Sequence, residues 1–293
     1  MPHIVSPVGK RARAHLMPTR FATLTPSKAS SPRRRTGQCA PAIRVGVSAC
    51  LLGEAVRYDG SDKHDAIVMN IFGRFFELVP VCPEVAIGMG VPRSPIRLVN
   101  DSRQVRAIGV EQRDLDVTTA LRSYGQRMVR ELADVSGYIF KSRSPSCGVH
   151  DVPVYKKGSR PIRSGTGLFA REWTARRPLL PVEDETQLGD PDVRDNFLER
   201  IFFYRRWQEL TARDLTRRKL LVFHTAHKLM LMAHGDDDGN ALRALADQTL
   251  PRPSAALATC YLEAYMRVLR RHATRRRHRR VLRYLARRLE RQL

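Results

Sequence analysis

Between Ile43 and about Val182, runs of strand character alternate with helical periods, and no other feature of the chain narrows its fold as much. The strand-like runs are IRVGVS (43–48), FELVPV (76–81), VRAIGV (105–110) and YIFKS (138–142). Across 117–134, Leu121, Tyr124, Met128 and Leu132 recur at the three- or four-residue steps of a helix face. Such alternation predicts an α/β fold, a Rossmann-like domain with a mainly parallel sheet. Ligands of these sheets lie beyond the carboxyl ends of the strands. Cys50 follows the first run, Cys82 ends the second and Cys147 follows the fourth. Three cysteines at three strand ends therefore face one crevice.

After PLLPVED the texture changes. Asp190-Pro191 reads as a helix start, with Phe197, Ile201 and Tyr204 on one face. After a break, Leu221, Thr225, Lys228/Leu229 and Met232 carry a second helix. GDDDGN reads as a loop, and helices resume at 254–270 and 275–292. We expect an α/β domain over 43–188 and an all-α domain over 189–293. Residues 1–42 are rich in Arg, Ser and Pro and free of acids, so they read as a disordered basic tail. A start assigned too early, with Met17 as one internal alternative, and a transit peptide share that composition.

Net charge is +23 and lies at the two ends. Residues 1–53 hold nine Lys/Arg and no acid; residues 267–293 hold twelve Arg against Glu290; the middle is left with about +3. A polyanion partner, most simply nucleic acid, fits this distribution, and so does a solvated charge run. No apolar run reaches the roughly 18–20 residues of a membrane span, which predicts a soluble protein.

Five cysteines without a signal-peptide core predict a reduced, cytoplasmic setting with metal or catalytic use. Cys39 lies in the tail. Cys260, in ALATCYLEAYM, has the spacing of a small core residue. Cys50, Cys82 and Cys147 each stand among small residues, Pro or Gly, which let backbone amides approach a sulfur-rich group. Three thiolates on a four-iron cluster leave one iron open, as open zinc sites do for catalysis. Spacing by itself reads equally well as three buried thiols, since no CxxC occurs.

The strings themselves say more. VSACLLGEAVRYDG (47–60), VPVCPE with GMGVPRSPIRLV (79–84, 88–99) and KSRSPSCG (141–148) resemble three motifs of the thiouracil/4-thiouridine desulfidase family. From NFLERIFFYRRW through FHTAHKLMLMAH to ATRRRHRRVL, the chain looks like the helical domain fused to it in the tRNA-thiouridine branch. The resemblance implies a [4Fe–4S] cluster held by Cys50, Cys82 and Cys147, and removal of sulfur from 4-thiouridine in tRNA to give uridine and sulfide. Desulfidation of free thiouracil-type bases and a non-catalytic, zinc-bearing RNA-binding protein are the alternatives. The helical part looks shorter than its relatives at Leu293, and HGDDDGN stands where a more basic, aromatic stretch is expected.

Glu84, two residues after Cys82, matches the family's catalytic glutamate and is placed to activate water or shuttle a proton; the other reading is a cap on the following turn. Ser142, by its match to the motif, is the second catalytic candidate, for proton relay or substrate contact, with a plain SRSPS turn as its alternative. Ser142 and Ser144 share a face if the strand persists. Ser48 is placed to hydrogen-bond cluster or base. Arg57, Tyr58 and Asp59 would enclose the base, although Asp59-Gly60 is equally a turn. Lys141 and Arg93 are phosphate partners or, respectively, an exposed lysine and a loop clamp. His224, His227 and His234 read as a packed or RNA-facing row, with no carboxylate nearby to complete a metal set. Arg275, Arg276, Arg277, Arg279 and Arg280 read as phosphate contacts or as a solvated face.

Overall fold

The computed structural model describes residues 42–101, 104–156, 160–235, 238–247 and 253–290. The expectations for the tail through residue 41, including Cys39 and Met17, and for residues 236–237 of GDDDGN lie outside these.

Strand β1 (Arg44–Ser48) is followed by a 3-10 turn (Ala49–Leu52), a π turn (Val68–Phe72), the short α1 (Gly73–Phe75), β2 (Glu77–Val81) and the short α2 (Pro83–Ala86). Then come β3 (Ile96–Asp101), β4 (Gln104–Gly109), α3 (Thr118–Glu131), β5 (Gly137–Phe140), β6 (Val152–Tyr155), β7 (Pro161–Gly165), α4 (Leu168–Arg176) and β8 (Val182–Asp184). A 3-10 turn (Gln187–Gly189) leads into α5 (Pro191–Thr211), α6 (Arg217–Ala226), α7 (Lys228–His234), α8 (Asp238–Asp247), α9 (Ala255–Leu269) and α10 (Arg275–Glu290).

The strands form two sheets. The first, ordered β2-β1-β5-β8, is parallel throughout, as the alternation predicts. The second, β4-β3-β6-β7, is mixed: β3–β4 and β6–β7 are antiparallel and β3–β6 is parallel. Sequence reading passed over β3, β6, β7 and β8. Pro153 interrupts β6, β7 is nearly all exposed, and β8 has three residues, so these three show no clean two-residue period, whereas β3 does alternate, with Ile96 and Leu98 buried.

β5, in the interior of the parallel sheet, is buried along its length. Its side chains alternate. Ile139 joins Val45, Val47, Phe72, Phe197 and Ile201 on one face, and Tyr138 and Phe140 join Phe169 and Trp173 on the other. Gly46 sits opposite Tyr138 in the β1–β5 register. A Cβ at Gly46 would lie 2.4 Å from the Tyr138 ring, so only glycine lets the ring cross β1. Gly46→Ala is expected to cost about 1–3 kcal/mol by overpacking, read as a lowered midpoint in thermal unfolding.

Helix α5 begins as its sequence predicts. Asp190 accepts hydrogen bonds from the amides of Asp192 and Val193, and Pro191 fills the first helical position. Phe197 and Ile201 pack on the parallel sheet, whereas Phe203 and Trp207, further along, enter a second core with α6 to α9. There Phe203 stacks on Tyr265 at 3.9 Å and Trp207 on Tyr261 at 5.5 Å.

Four helical expectations are corrected. The buried stripe of α6 and α7 is Leu220, Phe223, His224, His227, Leu231 and His234, not the neighbouring Leu221–Thr225–Lys228–Met232 row. Histidines serve as core residues here because their nitrogens are bonded: His224 Nδ1 to the Tyr261 hydroxyl (3.0 Å), His227 Nδ1 to the Phe223 carbonyl (2.7 Å). Burial lowers the pKa of both rings. His234 does have a carboxylate beside it, Glu199, 2.8 Å from its Nε2. Cys260 is exposed, because it falls on the solvent side of α9, opposite Tyr261, Tyr265 and Val268. Part of GDDDGN, from Asp238, already belongs to α8. Among the described residues no helix is long and apolar enough to cross a membrane.

Candidate active site

β2, β1 and β5 are adjacent and parallel, so their carboxyl ends open on one side. Cys82 follows β2, Cys50 follows β1, and Cys147 lies in the loop after β5. All three line one cavity of about 340 Å³. The strand order switches sides at β1, with β2 on one flank and β5 on the other, which is where such sheets bind ligands.

Each cysteine is held by its own segment. Cys50 lies in the 3-10 turn closed by Gly53, whose φ of +89° suits glycine. Cys82 precedes α2, and its thiol contacts the Val56 carbonyl at 3.7 Å. Cys147 is fixed from behind. Ser144 Oγ accepts hydrogen bonds from the amides of Ser146 and Cys147, and the first amides of α4 donate to the Pro145 and Ser146 carbonyls. Gly167 makes this docking possible, since a Cβ there would lie 2.5 Å from the Ser146 carbonyl. The Ser48 hydroxyl hydrogen-bonds the Cys147 side chain.

Burial raises all three thiol pKa values, helped by neighbouring thiolates at Cys50 and Cys147 and by the Glu84 carboxylate at Cys82; that of Cys50 is pushed up to about 11. Three soft donors gathered in a site that disfavours bare thiolates call for a cationic, thiophilic group. Among the described residues no group of three Cys, His, Asp or Glu is gathered to hold a single metal ion. Three thiols spread over a cavity of this size suit a multi-iron cluster instead.

Glu84, in the first turn of α2, lines the same cavity and is 14% exposed. Its Oε1 accepts from the Ser146 hydroxyl (2.8 Å) and its Oε2 from Arg93 Nε (2.9 Å). A carboxylate has about four lone-pair sites, so capacity remains toward the cavity. Arg93 is 5% exposed and also donates to the Gly90 and Val56 carbonyls. It is the clamp of its loop, and its guanidinium is taken up by protein groups. Val56 thus links Arg93 to Cys82, so carboxylate and thiol are placed by one network.

β5 stops at Phe140, so the shared strand face proposed for Ser142 and Ser144 is absent. The chain turns instead, with Arg143 at φ +58°. Ser142 nevertheless reaches the cavity, as do Ser144, Lys141 and Arg143. Arg57 and Tyr58 line it too. Asp59 is exposed and absent from the wall. It accepts from the Ser61 amide and hydroxyl, which lower its pKa, and so closes a turn. Lys63, Ser146 and Glu185 were missed in the sequence. Lys63 lines the mouth, Ser146 holds Glu84, and Glu185 binds Lys141 and Ser142. A clue to Glu185 was its place just past a strand end, but β8 was too short to be seen.

The arginines of α10 divide. Arg280 donates to the Met232 and Gly235 carbonyls and so caps α7, which corrects its reading as a nucleic-acid contact. Arg277 donates to the His272 carbonyl. Arg275, Arg276 and Arg279 are exposed.

No curated protein matches the chain. Among solved structures it is similar to a [4Fe-4S]-dependent thiouracil desulfidase, TudS, at 28% identity, over 50% of this chain and 93% of that one, with a TM-score of 0.38. Residues 45–185, from β1 to the residue after β8, match the 2-thiouracil desulfurase family. The three cysteines, the glutamate and the serine set about this one cavity thus all lie within residues 45–185, the stretch of the chain that matches the 2-thiouracil desulfurase family.

Proposed function

We propose that the protein is a [4Fe–4S]-dependent desulfidase that removes the sulfur of 4-thiouridine in tRNA, releasing uridine and sulfide. The observation that carries this reading is the convergence of Cys50, Cys82 and Cys147 on a cavity that also holds Glu84 and Ser142. Cys50, Cys82 and Cys147 would hold the cluster, which supplies a thiophilic Lewis acid for the C–S bond when bound.

The chain's own residues supply the rest. C–S hydrolysis needs water at the pyrimidine carbon and a place for its proton. Glu84, fixed by Arg93 and Ser146, offers an acceptor for that proton at its free lone pairs. Ser142 hydrogen-bonds the base or the water from the opposite segment. Arg57, Lys63 and Arg143 give the cavity cationic side chains for a nucleotide phosphate. The reaction has no net redox change, so it requires no electron donor.

The tRNA reading is supported by the two basic chain ends and by exposed Arg275, Arg276 and Arg279. The target base must leave its stack to enter the cavity. The second reading, a free thiouracil-type base, is favoured by the family match. Anaerobically purified enzyme, given thiolated tRNA and free 4-thiouracil in parallel, tests both. Loss of the near-ultraviolet 4-thiouridine band with sulfide release from tRNA is expected. Turnover of the free base alone would replace this reading by the second. Colourless protein with stoichiometric zinc would overturn both.

Deleting residues 267–293 is a poor test of RNA contact, because Val268 and Leu269 are core residues and Arg280 caps α7. Replacing Arg275, Arg276 and Arg279 together by glutamine is cleaner. The log–log salt slope of tRNA binding is expected to fall by about one per lost phosphate contact. An unchanged slope means that this face is only solvated.

A further inference from the structure

We propose that Glu185 is a positioning residue of the reaction site, which fixes the direction of the Ser142 hydroxyl. The proposal rests on the desulfidase reading. Glu185 directly follows β8, the strand paired with β5. Its side chain is 10% exposed and sits behind the cavity wall.

Its carboxylate gathers three donors. The Ser142 amide donates to Oε2 (2.7 Å), the Ser142 hydroxyl to Oε1 (2.6 Å), and the Lys141 ammonium also to Oε1. Lys141 donates in addition to Ser142 Oγ (2.9 Å) and to the Ser142 carbonyl (3.2 Å). An ammonium has three hydrogens and no lone pair; a hydroxyl has one hydrogen and two lone pairs. All three Lys141 hydrogens therefore have acceptors. The Ser142 hydrogen is committed to Glu185, and one of its lone pairs to Lys141. One lone pair remains for the cavity.

Ser142 thus meets its ligand as an acceptor. It suits a water O–H or a pyrimidine N–H and offers no hydrogen to an exocyclic oxygen or sulfur. The selection is made by Glu185, which never touches the ligand. The Lys141 amide is held in turn by Ser48 Oγ (2.9 Å), the same hydroxyl that bonds the Cys147 side chain. The network therefore ties the loop after β5 to the end of β1.

The test uses full-length, cluster-loaded enzyme and whichever of thiolated tRNA or 4-thiouracil the wild type turns over. Glu185→Gln keeps the shape but turns one acceptor oxygen into a donor, so it can no longer accept from the Ser142 amide, the Ser142 hydroxyl and Lys141 together, and the hydroxyl loses its fixed direction. We expect kcat to fall about 10- to 100-fold, with KM within about twofold and iron content unchanged. Glu185→Asp should restore part of kcat. Ser142→Ala with Glu185→Gln should be no slower than Ser142→Ala alone, because Glu185 acts through Ser142. Acetylation of Lys141 by acetic anhydride, followed by mass spectrometry, should quicken several-fold in Glu185→Gln as the ion pair is lost.

Wild-type kcat in Glu185→Gln, or additive losses in the double variant, overturns the proposal. If Glu185→Gln cannot hold iron, Glu185→Asp decides: wild-type kcat with an unchanged Lys141 rate overturns it, and reduced kcat with full iron supports it. If the wild type itself binds no cluster and releases no sulfide, the desulfidase reading fails. Lys141 labelling then judges the Glu185 network alone, with an unchanged rate overturning it and a faster one supporting it.

Discussion

Cys82→Ala is expected to yield protein without iron, without acid-labile sulfide and without measurable desulfidation, while Cys260→Ala keeps all three at wild-type levels. Cys82 is a single thiol just past β2, with Cys50 just past the adjacent β1 and Cys147 in the loop after β5. Among the described residues the remaining cysteine, Cys260, is exposed on α9 and outside the cavity, so it supplies no replacement ligand. The fold should tolerate the change. Cys82 is only partly buried, and deleting a small side chain there costs about 1 kcal/mol. Iron and sulfide content, visible absorbance and the thermal midpoint, measured together, separate loss of the cluster from loss of the fold. Retained colour in Cys82→Ala, or bleaching in Cys260→Ala, would displace the ligand assignment.

Glu84→Gln is the second large effect. The variant should stay coloured and lose about 10²- to 10⁴-fold in turnover, the range for a positioned acid–base group. Gln can still accept from Arg93 and bond Ser146, so the loop through Gly90 and Val56 should hold. Arg93, 5% exposed, loses its counter-charge, at a cost of about 1–3 kcal/mol in stability. Anaerobic steady-state kinetics beside a melting curve separates the two. Full turnover with the expected drop in melting temperature would make Glu84 a partner of Arg93 and nothing more.

What could be read in the sequence follows physical lines. The parallel sheet and the three cysteines beyond its strands were legible, because β1, β2 and β5 have strong apolar runs, Cys50 and Cys82 fall within two residues of a strand end, and Cys147 lies in the loop after β5. The α5 start was legible because Asp190 and Pro191 are local signals. Of the second sheet only β4 was legible, as the run VRAIGV; β6 is broken by Pro153 and β7 is exposed. Partners distant in sequence were the hardest: Arg93 with Glu84 and Val56, Glu185 with Lys141 and Ser142, Arg280 with the end of α7. Each is charged and looks free in one dimension, and only the folded chain supplies its partners. The same reason left the histidines open between a packed and an RNA-facing row, which the partners Tyr261, Glu199 and backbone carbonyls decide for packing.

Helix α5 threads both cores: Phe197 and Ile201 are seated on the β-strands, Phe203 and Trp207 among the later helices. With 21 residues it is about 31 Å long. Calorimetry should therefore record one cooperative endotherm, and excising either half at its first turn would strip large aromatics from the other. Gene fusions or fragments cut at residue 189 would inherit that defect.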